Sequence, residues 1–155
     1  MNGQTVTVRK ILPASCEEVF DAWLDAEGMR AWMRPGPVTS CAVTLEPRVG
    51  GHFRIVMTSP DVEIVNRGEF LILERPSKLQ LTWISSRWNN QETLLTVELQ
   101  AAGAHCELVL THERLPLEHS SSQLIGGWNQ ILEKLDSVLL SKCPSTRNRL
   151  RNAVH

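Results

Sequence analysis

The sequence contains no tyrosine, and its aromatic residues are limited to three phenylalanines and five tryptophans among 155 residues. It also lacks the short motifs of several large enzyme classes, since no P-loop, no G-x-G-x-x-G and no G-x-S-x-G pattern occurs. These absences argue against the commonest nucleotide-hydrolysing enzymes, dinucleotide-dependent enzymes and serine hydrolases. No cofactor is expected.

Metal-binding patterns are missing as well. The four cysteines are widely spaced without a C-x-x-C pair, and the five histidines form no H-E-x-x-H motif. Because zinc fingers and zincins depend on ligand pairs that are close in sequence, no metal site is expected. The cysteines are interpreted as reduced, partly buried thiols.

The sequence has almost no net charge, at −1, and no apolar run near the ~18 residues that a membrane-spanning helix needs. The charge balance argues against partners such as nucleic acid or an acidic membrane surface. The first residues lack the basic and apolar regions of a signal peptide, so a cytoplasmic location is expected.

The first 37 residues combine one strand with two short helices. Residues 5–8 alternate polar and apolar side chains, which predicts a strand. Ser15 and Glu18 have the spacing of a capping box and predict the start of a short helix. Asp25 is placed to cap a second short helix, which the Pro-Gly-Pro segment at 35–37 ends.

The remainder predicts a strand meander followed by one long helix. Residues 38–114 read as consecutive strands joined by short turns, which indicates antiparallel pairing. Within this segment Gly68 is expected to mark a bulge, and Trp88 is interpreted as an aromatic residue at a loop tip.

From Leu124 to Leu139 the apolar residues recur with helical spacing. We expect one domain over residues 1–141 and a basic, disordered tail over 142–155.

This order of elements predicts a cavity. A long meander twists and curls, and one helix crossing its concave side leaves the space beside it unfilled. Strand and helix phase place ten side chains around that space as candidate ligand-binding residues. They are Trp32, Phe53, Ile55, Phe70, Trp83, Leu110, His112, Leu124, Trp128 and Ile131. Ordinary core packing is the alternative role for the tryptophans and for His112.

Several short segments resemble one protein family. The sequence VFDAWLD at 19–25, followed by WMRPG at 32–36, is similar to the opening of the START-like, or SRPBCC, superfamily. Within it, the chain resembles the heat-shock-protein-90 ATPase activator homologue-like family. Further matching segments are GGHFR at 50–54, GEF at 68–70, PSKL at 76–79, LTW at 81–83, LVLTH at 108–112 and GW at 127–128. A departure is Met33, where many relatives carry a second consecutive tryptophan.

The resemblance implies an α+β helix-grip fold, like that of the birch-pollen allergens. About seven antiparallel strands form a curved sheet wrapped on a long C-terminal helix, with two short helices after the first strand. It also implies a binding protein for a small hydrophobic or aromatic molecule, held between the sheet and that helix.

Two alternatives stay open. The first is a cyclase or hydrolase type of enzyme that uses the same cavity with His112 as its acid or base; otherwise no catalytic residue is assigned. The second is a chaperone-regulating domain. Since Thr5 already begins the first strand, we expect no preceding domain of the kind found in co-chaperones, which argues against a chaperone partner. The sequence leaves a homodimer open.

Overall fold

The protein is described by a computed structural model that covers residues 3–142. Seven strands and three α-helices follow one another in the predicted order. Their bounds are β1 (Gln4–Leu12), α1 (Cys16–Ala22), α2 (Ala26–Met29), β2 (Ser40–Leu45), β3 (His52–Thr58), β4 (Glu63–Glu74), β5 (Lys78–Ser85), β6 (Glu92–Ala102), β7 (His105–Leu115) and α3 (Ser121–Lys142). A single 3-10 turn (Ser86–Trp88) follows β5.

The strands form one antiparallel sheet in the order β1-β7-β6-β5-β4-β3-β2. Strands β2 to β7 each pair with the strand next to them in sequence and form the predicted meander. β1 pairs with β7 and forms the other edge of the sheet. The predicted α+β helix-grip architecture is confirmed, including the two short helices after β1.

Local side-chain bonds explain where the short helices begin. The Oγ of Ser15 accepts from the backbone N–H of Glu18, and the Glu18 carboxylate accepts from the Ser15 backbone N–H at 3.1 Å. This reciprocal capping box confirms the prediction at Ser15. The carboxylate of Asp25 caps α2 in a similar way, by accepting from the Gly28 N–H.

α3 covers one face of the sheet with the predicted apolar stripe. Its buried residues are Leu124, Trp128, Ile131, Leu132, Leu135 and Leu139. The helix packs most extensively against β1, where Lys10 lies 3.6 Å from the carboxylate of Asp136. Of the predicted tail, only Lys142, the last residue of α3, is within the described residues.

Gly68 permits a close approach within the sheet rather than marking the predicted bulge. The irregular register between β4 and β5 occurs between Phe70 and Ile72. A Cβ at Gly68 would overlap the carbonyl oxygen of Thr82 and lie 2.7 Å from the ring of Phe53. The strands therefore approach each other here only because residue 68 has no side chain.

Within residues 3–142, no helix combines the length and the apolar character needed to cross a membrane.

Candidate functional site

All ten predicted ligand-binding residues are buried in the structure. Their side chains lie between the sheet and the helices, as strand and helix phase predicted; they are Trp32, Phe53, Ile55, Phe70, Trp83, Leu110, His112, Leu124, Trp128 and Ile131. Burial alone does not separate a ligand site from a core, so the space that these side chains leave decides how they are interpreted.

Two small voids lie between the sheet and the helices. The inner void has a volume of about 10 Å³, and Phe53, Ile55, Phe70 and Trp83 are among its lining residues. The second void, which we call the Trp88 pocket, has a volume of about 50 Å³. Its lining residues are Pro35, Met57, Asn66, Trp83, Ser85, Arg87, Trp88, Gln123, Leu124, Gly127, Trp128 and Ile131.

The structure therefore brings only part of the predicted set to one pocket. Trp83, Leu124, Trp128 and Ile131 line the Trp88 pocket, whereas Trp32, Leu110 and His112 line neither void. Ligand pockets commonly measure about 300–1,000 Å³. In this conformation the predicted hollow is largely filled by protein side chains.

Tryptophan rings fill this space. Trp23 packs edge-on against Trp32 with 5.1 Å between ring centroids, and its ring also lies 6.3 Å from that of Trp128. Trp128 in turn packs edge-on against Trp83 at 5.4 Å. Strand and helix phase place these residues on inward faces, but the volume left over depends on how the large rings interlock.

Trp88 was predicted as an exposed aromatic at a loop tip, and this prediction was wrong. The 3-10 turn folds back over the interior, so that Trp88 is 6% exposed and its ring centroid lies 5.6 Å from that of His112. The sequence did not indicate that Trp88 is buried, because its neighbours on both sides are polar. The indole N–H of Trp88 has no hydrogen-bond partner among the described residues.

The turn that carries Trp88 has a strained backbone. Asn89 and Asn90 both adopt left-handed conformations, with φ values of 54° and 59°. Such conformations are uncommon outside glycine, although asparagine tolerates them best. Two backbone hydrogen bonds close the turn, from Asn90 N–H to the Ser85 carbonyl and from Gln91 N–H to the Trp88 carbonyl, so the Trp88 side chain itself is held mainly by ring packing.

His112 is the only histidine in the described interior, and both of its ring nitrogens are engaged. Nδ1 accepts from the indole N–H of Trp128 at 3.1 Å, and Nε2 lies 2.8 Å from the Oγ1 of Thr93. The Thr93 hydroxyl donates to the carbonyl oxygen of Trp83. Burial lowers the pKa of His112 to about 3, so the ring is neutral near pH 7.

The Trp88 pocket has a polar rim. Asn66 is buried and donates from Nδ2 to the carbonyl oxygen of Ile55, while the buried Ser85 accepts from the Arg87 N–H. Arg87 is exposed overall, but its guanidinium carbon lies 5.8 Å from the Trp88 ring centroid, and partial loss of water there lowers its pKa. Within residues 3–142, no carboxylate lies within salt-bridge distance of Arg87.

The glycine pair in α3 differs in its surroundings. Gly127 lines the Trp88 pocket, and a Cβ built there would lie 4.0 Å from the Cβ of Pro35. A Cβ at Gly126 would meet nothing within 4 Å. The absence of a side chain at residue 127 therefore keeps the pocket mouth open, whereas residue 126 faces open space.

The opposite face of the sheet carries a larger, open groove that the sequence did not predict. Its volume is about 890 Å³, and its lining mixes three arginines with three glutamates: Arg54, Arg67, Arg114, Glu46, Glu69 and Glu92. In the described part of the chain, no three histidine, cysteine or acidic residues come together to hold a metal ion.

A comparison with family models places the chain. The model described as Activator of Hsp90 ATPase homolog 1-like protein matches residues 13–140. The chain belongs to this family. The match spans every element from α1 to α3, and with it the resemblance inferred from short segments is confirmed. No curated protein matches the chain.

Solved structures share this fold. A Chromobacterium violaceum protein superposes with a TM-score of 0.77 at 20% identity, covering 86% of this chain and 95% of its own. A Rhodobacter sphaeroides protein gives 0.76 at 23% identity, with 90% and 95% covered. A Plasmodium falciparum protein described as an HSP90 activator gives 0.70 at 25% identity, with 88% and 96% covered.

Proposed function

We propose that this family member binds a small hydrophobic molecule, about the size of one or two fused rings, in the Trp88 pocket. The observation that carries the proposal is the composition of this pocket. Three indole rings and apolar side chains of α3 surround a residual void with a few polar groups at its rim, which is the usual composition of a ligand site.

The void must enlarge before such a molecule can enter. At about 50 Å³ it is smaller than the ~150 Å³ cavity that accommodates benzene in a well-studied engineered protein. Trp88 is the element best suited to move. Its indole nitrogen has no hydrogen-bond partner within residues 3–142, and it sits on a turn with two left-handed residues. Displacing Trp88 adds most of its own side-chain volume to the pocket.

The other pocket tryptophans are held more firmly. Trp128 donates to His112, and Trp83 lies in β5 between β4 and β6. The ligand would therefore replace Trp88 against a fixed surface formed by Trp83, Trp128 and Ile131. Burying an apolar molecule there contributes about 25 cal/mol of favourable free energy for each Å² of apolar surface removed from water.

Arg87 favours a ligand that carries an anionic group. Its guanidinium stands at the pocket rim without a carboxylate partner among residues 3–142, next to the ring that is proposed to move. A carboxylate on the bound molecule would supply that partner by a charge-assisted hydrogen bond. Aromatic carboxylic acids with one or two rings fit this description.

The proposal is tested by titrating the ¹⁵N-labelled full chain with indole and following the tryptophan side-chain N–H signals. We expect saturable shifts with a Kd on the order of 0.1–1 mM, as suits so small a ligand. Gly127→Leu should weaken binding at least about tenfold by filling the pocket mouth. Gly126→Leu is the matched control, because it makes the same change on the same helix but faces open space. Equal affinities in the two variants would refute the proposal.

A second candidate is stimulation of the Hsp90 ATPase. The observation that favours it is the likeness to the Plasmodium falciparum protein described as an HSP90 activator. Adding this chain to purified Hsp90 should then raise the rate of ATP hydrolysis severalfold, and an unchanged rate over a hundredfold range of concentration would count against it. Gly127→Leu should leave any stimulation unaltered if the chaperone contacts another surface.

A further inference from the structure

Cys16 and Cys106 bring two thiols into contact although 90 positions separate them in the chain. Cys16 begins α1 and Cys106 lies near the start of β7, and their Sγ atoms are 3.1 Å apart. Cys106 is fully buried, whereas Cys16 is partly exposed. One thiol of the pair can therefore be reached from solvent.

The two sulfurs are close enough for a bond to form with a small movement. Both cysteines are free, and their sulfurs need to approach by only about 1 Å to reach the ~2.05 Å length of a disulfide. Cys41 provides the contrast. It is also a free, buried thiol, but the atoms near its sulfur are the carbonyl oxygens of Met29 and Arg30 at 3.7 Å.

We propose that Cys16 and Cys106 form a reversible disulfide when the protein meets a disulfide oxidant such as oxidised glutathione. The Cys16 thiolate attacks one sulfur of the oxidant, whose S–S bond breaks and releases one glutathione thiolate. Cys106 then loses its proton to solvent and attacks the Sγ of Cys16, expelling the second glutathione thiolate. Two protein thiols are oxidised, and one oxidised glutathione is reduced to two glutathiones.

The burial of Cys106 governs the second step. In the reduced protein, burial and the adjoining Cys16 thiol raise the pKa of Cys106 to about 12. Burial is the larger cause, and it still raises the pKa of Cys106 once Cys16 is joined to glutathione. Since the thiolate is the attacking species, closure of the disulfide is slow at neutral pH. Its rate should increase about tenfold for each pH unit between pH 7 and 9.

The bond would fasten α1 to the sheet. Trp23, directly after α1, packs against Trp32 and Trp128, so α1 supports one wall of the aromatic interior. A cross-link between residues 16 and 106 also closes a long loop in the unfolded chain, which raises stability. Oxidation should therefore increase the melting temperature by about 5–10 °C.

The experiment exposes the full chain to oxidised glutathione, stops the reaction with acid and measures the intact mass and the free thiols. We expect the mass to fall by two hydrogens and the number of free thiols to fall from four to two. Peptide mapping should find one linked pair, containing Cys16 and Cys106. Dithiothreitol should reverse both the mass change and the gain in melting temperature.

Variants identify the reacting pair. Cys16→Ser, at the partly exposed position, should prevent formation of the disulfide. Cys106→Ala should also prevent it, and glutathione should then stay attached to Cys16. Cys41→Ser should react like the wild type. The proposal fails if the wild type keeps all four thiols, if the linked peptides contain other cysteines, or if Cys16→Ser forms an internal disulfide at the wild-type rate.

Discussion

Trp128 donates its indole N–H to Nδ1 of His112 at 3.1 Å, and this one bond sets the direction of a buried hydrogen-bond chain. An indole nitrogen can only donate, so Nδ1 of His112 carries no proton. The neutral ring therefore carries its proton on Nε2 and donates to Thr93, whose hydroxyl donates to the carbonyl oxygen of Trp83. The chain joins α3 to strands β5, β6 and β7.

The buried His112 predicts a specific loss of stability in mild acid. Its pKa is about 3 in the folded protein against 6.5 as the ordinary value, so the unfolded chain takes up a proton first. The contribution to the free energy of unfolding is fully present above pH 6.5 and decreases as the pH falls towards 3. The decrease approaches about 1.4 kcal/mol per pH unit.

Urea unfolding at pH 6.5 and 5.0 measures this effect. The wild type should lose about 1.5 kcal/mol more than His112→Leu, which cannot titrate at this position, because all other residues are the same in both proteins. NMR provides a check that needs no variant. The His112 ring signals should not titrate between pH 7.5 and 5, and a midpoint near 6.5 would contradict the neutral ring.

Phenylalanine substitutions should distinguish Trp128 from Trp88. Trp128→Phe removes the donor to His112 and leaves Nδ1 unpaired, whereas Trp88→Phe removes an N–H that has no partner among residues 3–142. Both variants lose similar ring volume. We expect Trp128→Phe to lower the free energy of unfolding by at least about 1 kcal/mol more. Equal losses would show that the hydrogen bond does not hold Trp128 in place.

Arg87 should give anionic ligands a higher affinity than neutral ones. Indole-3-carboxylate should bind about two- to fivefold more tightly than indole, because an exposed guanidinium contributes modestly in water. Arg87→Gln should abolish this preference and leave indole binding unchanged. Arg48→Gln is the control, since Arg48 lies 3.6 Å from Glu46 away from the pocket. A preference that survives in Arg87→Gln would remove Arg87 from the site.

Gly68→Ala should destabilise the sheet strongly. The added Cβ would overlap the Thr82 carbonyl oxygen, and backbone atoms of a central strand cannot move aside at low cost. We expect a loss of about 2–4 kcal/mol, measured by urea unfolding. Gly126→Ala, in open space on α3, should instead gain up to about 1 kcal/mol. A small effect at Gly68 would indicate that β4 and β5 can separate locally.

Residue pattern predicted the fold well because each element is determined locally. The capping box at Ser15, the strand alternation through β7 and the helical stripe of α3 specify which faces are apolar. The same alternation placed His112 in the interior. These signals depend on neighbours within a few positions, so one sequence is enough to recognise them.

The site was predicted only in part, because its volume depends on distant residues. Trp23, Trp83, Trp88 and Trp128 come from four separate segments, and their combined packing reduces the hollow to a void of about 50 Å³. Trp88 was missed because Arg87 and the two asparagines around it are typical of a solvated loop. The contact of Cys16 with Cys106 likewise depends on tertiary packing between α1 and β7.

The location of a bound small molecule tests the central claim most directly. NOEs should be measured between indole and the methyl groups of the full chain. Leu124 and Ile131 report binding in the Trp88 pocket, whereas Ile84 and Leu94 report binding in the open groove on the opposite face of the sheet. We predict intermolecular NOEs to Leu124 and Ile131. NOEs confined to Ile84 and Leu94, or none at saturating indole, would contradict the account.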